Sequence, residues 1–137
     1  MPLTINLKAR ERLILNGVVI ENAGQPARLL VHNNAALLRE KDILTEAQAS
    51  TPARRIYFAI QCEYLFPGKE TLFLPIIYEF LRQFADAAPS TATLVDEIRE
   101  FVDGRELYRA LKSAKQLIQR EQEILNDCSG EAISEGA

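Results

Sequence analysis

An α+β fold, with an N-terminal antiparallel five-stranded β region followed by a bundle of about four α-helices, is predicted by three features of the 137-residue chain. Apolar and polar residues alternate at period two up to about Arg39, and turn-forming residues interrupt that alternation at short intervals. From Thr51-Pro52 onward the apolar spacing changes to three and four residues. On this pattern residues 1–45 form the β region, 46–126 the helical region and 127–137 a disordered tail.

The first strand places Leu3, Ile5 and Leu7 on one face and Thr4, Asn6 and Lys8 on the other. Arg12 to Leu15 and Val18 to Glu21 flank Asn16-Gly17, the pair suited to a two-residue type I′ hairpin because both central positions need positive φ. A second reversal at Ala23-Gly24-Gln25-Pro26 feeds a strand over Arg28 to Val31, and Asn33-Asn34 turns the chain before Ala35 to Arg39.

Thr51 is a good N-cap and Pro52 suits the first helical position. Residues 53–66 are apolar on more than one side, which predicts a central helix enclosed by neighbours and ended by Pro67-Gly68. A second helix is expected from about Glu70 to Ala87, with Pro75 tolerable near its start. Pro89-Ser90 then breaks and caps, and a third helix carrying Glu97, Ile98, Phe101 and Val102 stops near Asp103-Gly104. Leu107, Leu111, Ala114, Ile118 and Leu125 define the fourth.

Composition bounds the function. A hydrophobic content of 47% over this length supports one real core, and no apolar run reaches the length of a membrane span, so a cytoplasmic protein without a membrane role is expected. Cys62 and Cys128 have neither disulfide-framework nor metal spacing and read as reduced thiols. His32 has no Ser, Cys or acid placed by motif to work with it, so no enzyme, cofactor or metal chemistry is expected.

The net charge of −3 hides an asymmetry: residues 1–55 carry eight cations against five acids, and residues 56–137 carry eight against fourteen. A polyanion would meet the amino-terminal part. Arg39, in LLREKDIL, stands at the exit of the last strand. Arg54-Arg55 occupies the first turn of the helix begun by Pro52, an unfavourable place for cations unless an acid compensates. Tyr57, Tyr64, Tyr78 and Tyr108 lie amid apolar helical neighbours and read as packed residues with hydrogen-bonded hydroxyls.

The start MPLTINLKARERLILNGVVI, the segment LLREKDILTEAQASTPARRIYFAIQ and the stretch GRELYRALKSAKQLI resemble the FlbT family of flagellar biosynthesis repressors in order and spacing. The likeness covers almost the whole chain except the tail, and LREKDIL followed by TPARRIYFA is its most specific piece. What the resemblance implies is a post-transcriptional repressor that associates with the 5′ untranslated region of flagellin mRNA and acts alongside FlaF. The strand portion from Arg12 to Ile43 is also similar to the small translational repressors of the CsrA family, which clamp mRNA leaders with the edges of a dimeric β structure. This second likeness implies RNA contact at Arg39 and at Lys8. It departs from that family at Leu7, where a basic residue is common, and at Asn33-Asn34-Ala35, which replaces an Asn-Ala-Pro turn.

The resulting expectation is a non-enzymatic repressor whose β region holds RNA through Arg39, with Lys8, Arg10, Arg12, Arg54 and Arg55 as electrostatic contributors. A rival expectation is a protein-interaction module whose acidic helical half binds FlaF or flagellin and affects mRNA indirectly. A homo-oligomer is expected because a lone sheet leaves edges that need cover.

Overall fold

The computed structural model describes residues 3–66 and 73–136, with side chains up to Asp127. Its strands are β1 (Leu3–Leu7), β2 (Arg12–Leu15), β3 (Val18–Glu21), β4 (Ala27–Val31) and β5 (Leu37–Arg39). Four helices follow: α1 (Pro52–Leu65), α2 (Leu74–Ala87), α3 (Ala92–Asp103) and α4 (Leu107–Gly136). The α+β class and the order of elements match the sequence expectation. The expected helix stop at Pro67-Gly68 and start near Glu70 lie outside the described residues.

The strands do not form one five-stranded region. They divide into an antiparallel pair, β1-β4, and a three-stranded sheet ordered β3-β2-β5. The division begins at the reversal after β1, where Glu11 N–H donates to the Lys8 carbonyl at 3.1 Å and Lys8 N–H to Glu11 Oε1 at 2.8 Å. Arg10 is left-handed there, with φ 68°, and its N–H donates to the Asn22 carbonyl at 2.7 Å. This turn carries the chain into the second sheet, so β1 does not pair with β2 and takes β4 as its partner instead.

Side-chain alternation explains why two sheets are favoured over one. Ile5, Leu7 and Leu13 are buried together between the sheets, with Leu15 and Leu37 packed against them. The next residues along, Ile14 and Leu38, belong to the larger core made with the helices. The three-stranded sheet is therefore a middle layer, apolar on both faces, whereas β1 and β4 cover it from outside.

The helical core centres on α1, whose Ala53, Ile56 and Ile60 are essentially inaccessible, packed with Ile77 and Leu81 of α2, Val95 and Ile98 of α3, and Leu111 and Leu117 of α4. Thr51 caps α1 by accepting from Arg54 N–H at 3.3 Å, and Pro75 sits in the first turn of α2, where a missing N–H costs nothing. The α4 backbone is helical through residues 127–136, the segment expected as a tail. Once a helix is nucleated, each added residue gains a hydrogen bond at little cost.

Three α1 side chains at helical spacing fasten the two halves together. Tyr57 Oη donates to the Asp42 carbonyl at 2.7 Å; Gln61 accepts from Leu44 N–H at 2.9 Å and donates to its carbonyl at 2.8 Å. Tyr64 Oη donates to the Leu37 carbonyl and accepts from its N–H, both at 3.0 Å. The hairpin turn meets the same helix end: a Cβ at Gly17, whose φ is 84°, would lie 2.9 Å from the Phe66 ring. Tyr108 departs from the packed role expected for it, being exposed while its ring lies 6.0 Å from that of Tyr64.

Candidate nucleic-acid interface

Arg39 closes β5, where it pairs with Leu13 of β2, and its side chain crosses to the other sheet. Its Nη2 donates to the Asn6 carbonyl of β1 at 2.8 Å and to Glu11 Oε2 at 3.3 Å. The guanidinium therefore ties the two sheets at the point where the Lys8–Glu11 turn joins them. Nε is buried without a partner, and among the described residues Nη1 has none either.

Two open clefts meet at this side chain. One, of 460 Å³, runs between β1 and β4 and carries Lys8 and Arg28 beside Arg39. The other, of 540 Å³, lies along the Lys8–Glu11 turn and carries Lys8, Arg10 and Lys41 with Arg39, and Glu11 and Glu40 as its acids. Five cations and two acids thus line the pair of clefts. Glu11 is already engaged: the Lys8 N–H hydrogen bond, and then the hydrogen bond and charge of Arg39, hold its carboxyl below the usual range despite some burial.

Of the cations singled out in the sequence, Lys8, Arg10 and Arg39 line the clefts together. Arg12 stands apart from the clefts, opposite Glu21 across the β2–β3 ladder, with Nε donating to Glu21 Oε1 at 2.8 Å. Arg54 and Arg55 lie in the first turn of α1, ten and nine residues before the Tyr64 anchor and so about 14 to 15 Å along the helix from it. The acid that their position requires is Glu121 of α4, whose Oε2 accepts from Ala53 N–H at 2.9 Å.

Arg28 and Lys41 were not singled out in the sequence. Arg28 joins the cleft because β4 pairs with β1, which puts it directly opposite Asn6. Only the two-sheet topology supplies that neighbour. Lys41 follows in the single 3-10 turn, Glu40–Asp42, that leaves β5.

Among the described residues no helix is long and apolar enough to cross a membrane. A family model described as "Flagellar protein FlbT" matches residues 3–125. A probable flagellum biosynthesis repressor protein FlbT 1 of Bradyrhizobium diazoefficiens is 38% identical over 125 residues, 90% of this chain and 85% of that protein. A flagellum biosynthesis repressor protein FlbT of Caulobacter vibrioides is 37% identical over 131 residues, 94% and 93% of the two chains. A third relative, from Rhodopseudomonas palustris and named in the same way with "probable", is 36% identical over 92% of this chain and 99% of its own. No solved structure matches. The family model and these near full-length relatives agree, and the chain belongs to the FlbT family of flagellar proteins.

Proposed function

We propose that this chain represses flagellin synthesis by contacting the 5′ untranslated region of flagellin mRNA through the paired clefts at Arg39. The relatives' names supply the repressor role. One observation carries the RNA reading: Arg39, whose Nη1 has no partner among the described residues, lines the clefts with Lys8, Arg10, Arg28 and Lys41, with Glu11 and Glu40 as the acids of that lining.

The chemistry follows from that arrangement. Single-stranded RNA exposes base edges that a guanidinium can hydrogen-bond, while surrounding cations hold the phosphates in register. Asn6 and Glu11 fix the Arg39 side chain beforehand, so little rotamer freedom is lost on binding. Lys8 and Arg10 contribute phosphate contacts, joined by Arg28 and Lys41. Arg12, already paired, and Arg54-Arg55, at the far end of α1, act through the long-range field.

Oligomerisation through the strands belongs to the same proposal. Leu3, Leu30, Val18 and Val19 are all more than half exposed at the open edges of the two sheets, where a second copy would cover them. The test of RNA contact is a titration of a flagellin leader against the purified protein at several salt concentrations. With the four phosphate-contacting cations engaged, the logarithm of affinity falls against the logarithm of salt with a slope of about −2.8 for a single strand. Salt-independent association would exclude the proposal.

A further inference from the structure

A further cleft, on the helical half, differs in chemistry from the two strand clefts. It has a volume of 300 Å³ and lies between the first turn of α1 and the last turns of α2. Phe80, Phe84, Ala87 and Ala88 make its walls apolar, Pro52 closes one end, and Arg55 is its single charged residue. That volume suits one large side chain.

The cation forms no direct ion pair: among the described residues neither Arg54 nor Arg55 has a carboxylate within 4.0 Å. The acids of α2 are occupied by Arg82, which holds Glu79 at 2.5 Å and Asp86 at 3.0 Å. Glu121 is spent on the Ala53 N–H.

We propose that this cleft docks an acidic peptide segment of a protein partner, seating one large apolar side chain against Phe80 and Phe84 and pairing a flanking carboxylate with Arg55. An apolar anchor in a pocket with a charge pair at its rim is the usual arrangement of a small binding hot spot. RNA fits the cleft less well. Residues 56–137 carry six more acids than cations, a field that repels a polyanion, while a short peptide with a few carboxylates meets chiefly Arg54 and Arg55. The walls also offer a base edge little beyond Gln83. This docking is independent of RNA contact at Arg39.

The experiment is a fluorescence-anisotropy titration of the full chain with a labelled, end-blocked peptide carrying one Phe among glutamates. A matched peptide with lysines in place of the glutamates serves as comparison. The acidic peptide is expected to bind at least about tenfold more tightly, and Arg55→Glu to reverse that preference. Ala87→Trp, at an exposed wall position, fills the cleft and is expected to abolish binding of the acidic peptide. Circular dichroism of both variants confirms folding. Equal binding of the two peptides, or binding indifferent to both substitutions, overturns the proposal. So does an Arg55→Glu variant that loses leader RNA while the acidic peptide fails to bind, since the arginines would then belong to an RNA surface.

Discussion

Glu121 on α4 accepts a hydrogen bond from the Ala53 N–H of α1 at 2.9 Å across 68 positions of sequence, and so brings a carboxylate to a helix start that has no acid in its own first turn. Glu121 is 8% exposed and Ala53 is fully buried. Glu121→Ala leaves that N–H without a partner and removes the charge that offsets Arg54 and Arg55, at a cost of about 1–3 kcal/mol. Thermal unfolding should register a fall of several degrees, with Glu121→Gln falling less because it keeps an acceptor.

Tyr64 holds both backbone groups of Leu37, two residues before Arg39. Tyr64→Phe deletes both hydrogen bonds and is expected to cost about 1–3 kcal/mol in a denaturant titration. Because β5 then loses its fastening to α1, leader RNA affinity should fall as well. A variant with lowered stability and full affinity would show that the helical half does not position Arg39.

On the proposed reading, RNA would compete with Glu11 for the Arg39 guanidinium. Glu11→Gln removes the opposing charge and should raise leader affinity severalfold in a gel-shift titration, since one acid of two leaves the clefts. The pH dependence carries a definite sign. A carboxyl lowered in the folded state contributes stability above its unfolded value and loses it as pH falls through the folded one. The Glu11 link therefore persists at neutral pH, and its loss belongs to acid below the ordinary glutamate range.

The cleft cations should separate from the paired arginine in a salt titration. Replacing Arg28 or Lys41 with Ala is expected to weaken RNA binding and to lower the magnitude of the salt slope by about 0.7 to 1 each. Arg12→Ala should change it least, because Glu21 already neutralises that side chain at 2.8 Å.

Val18 and Val19, at 61% and 63% exposed, test the strand-mediated contact between copies. Val19→Lys should shift the protein toward monomer in light scattering after size exclusion, with the far-ultraviolet spectrum unchanged. A wild-type chain that is monomeric throughout would refute the contact.

Local chemistry was legible where a residue's own backbone preference decided the outcome. Asn16-Gly17 is the hairpin turn, with φ of 51° and 84°, and Thr51-Pro52 starts α1. The split into two sheets was not legible, because it depends on Arg10 in a left-handed conformation that Gly or Asn would have announced. Arg28 was missed for the same reason, since its place beside Lys8 and Arg39 requires β4 to pair with β1. Glu121 is invisible locally: its role is a tertiary hydrogen bond between distant helices. The charge run LLREKD alone did not mark Arg39, which was singled out through the CsrA-like strand pattern, and its anchoring on Asn6 needed the fold.

The most direct test of the RNA reading is the affinity of Arg39→Ala and of the unsubstituted chain for a flagellin leader, at one salt concentration with folding checked by melting. The account predicts a loss of roughly fivefold to a hundredfold, the scale of one guanidinium contact to a base edge. Unchanged affinity in a folded Arg39→Ala protein would contradict it.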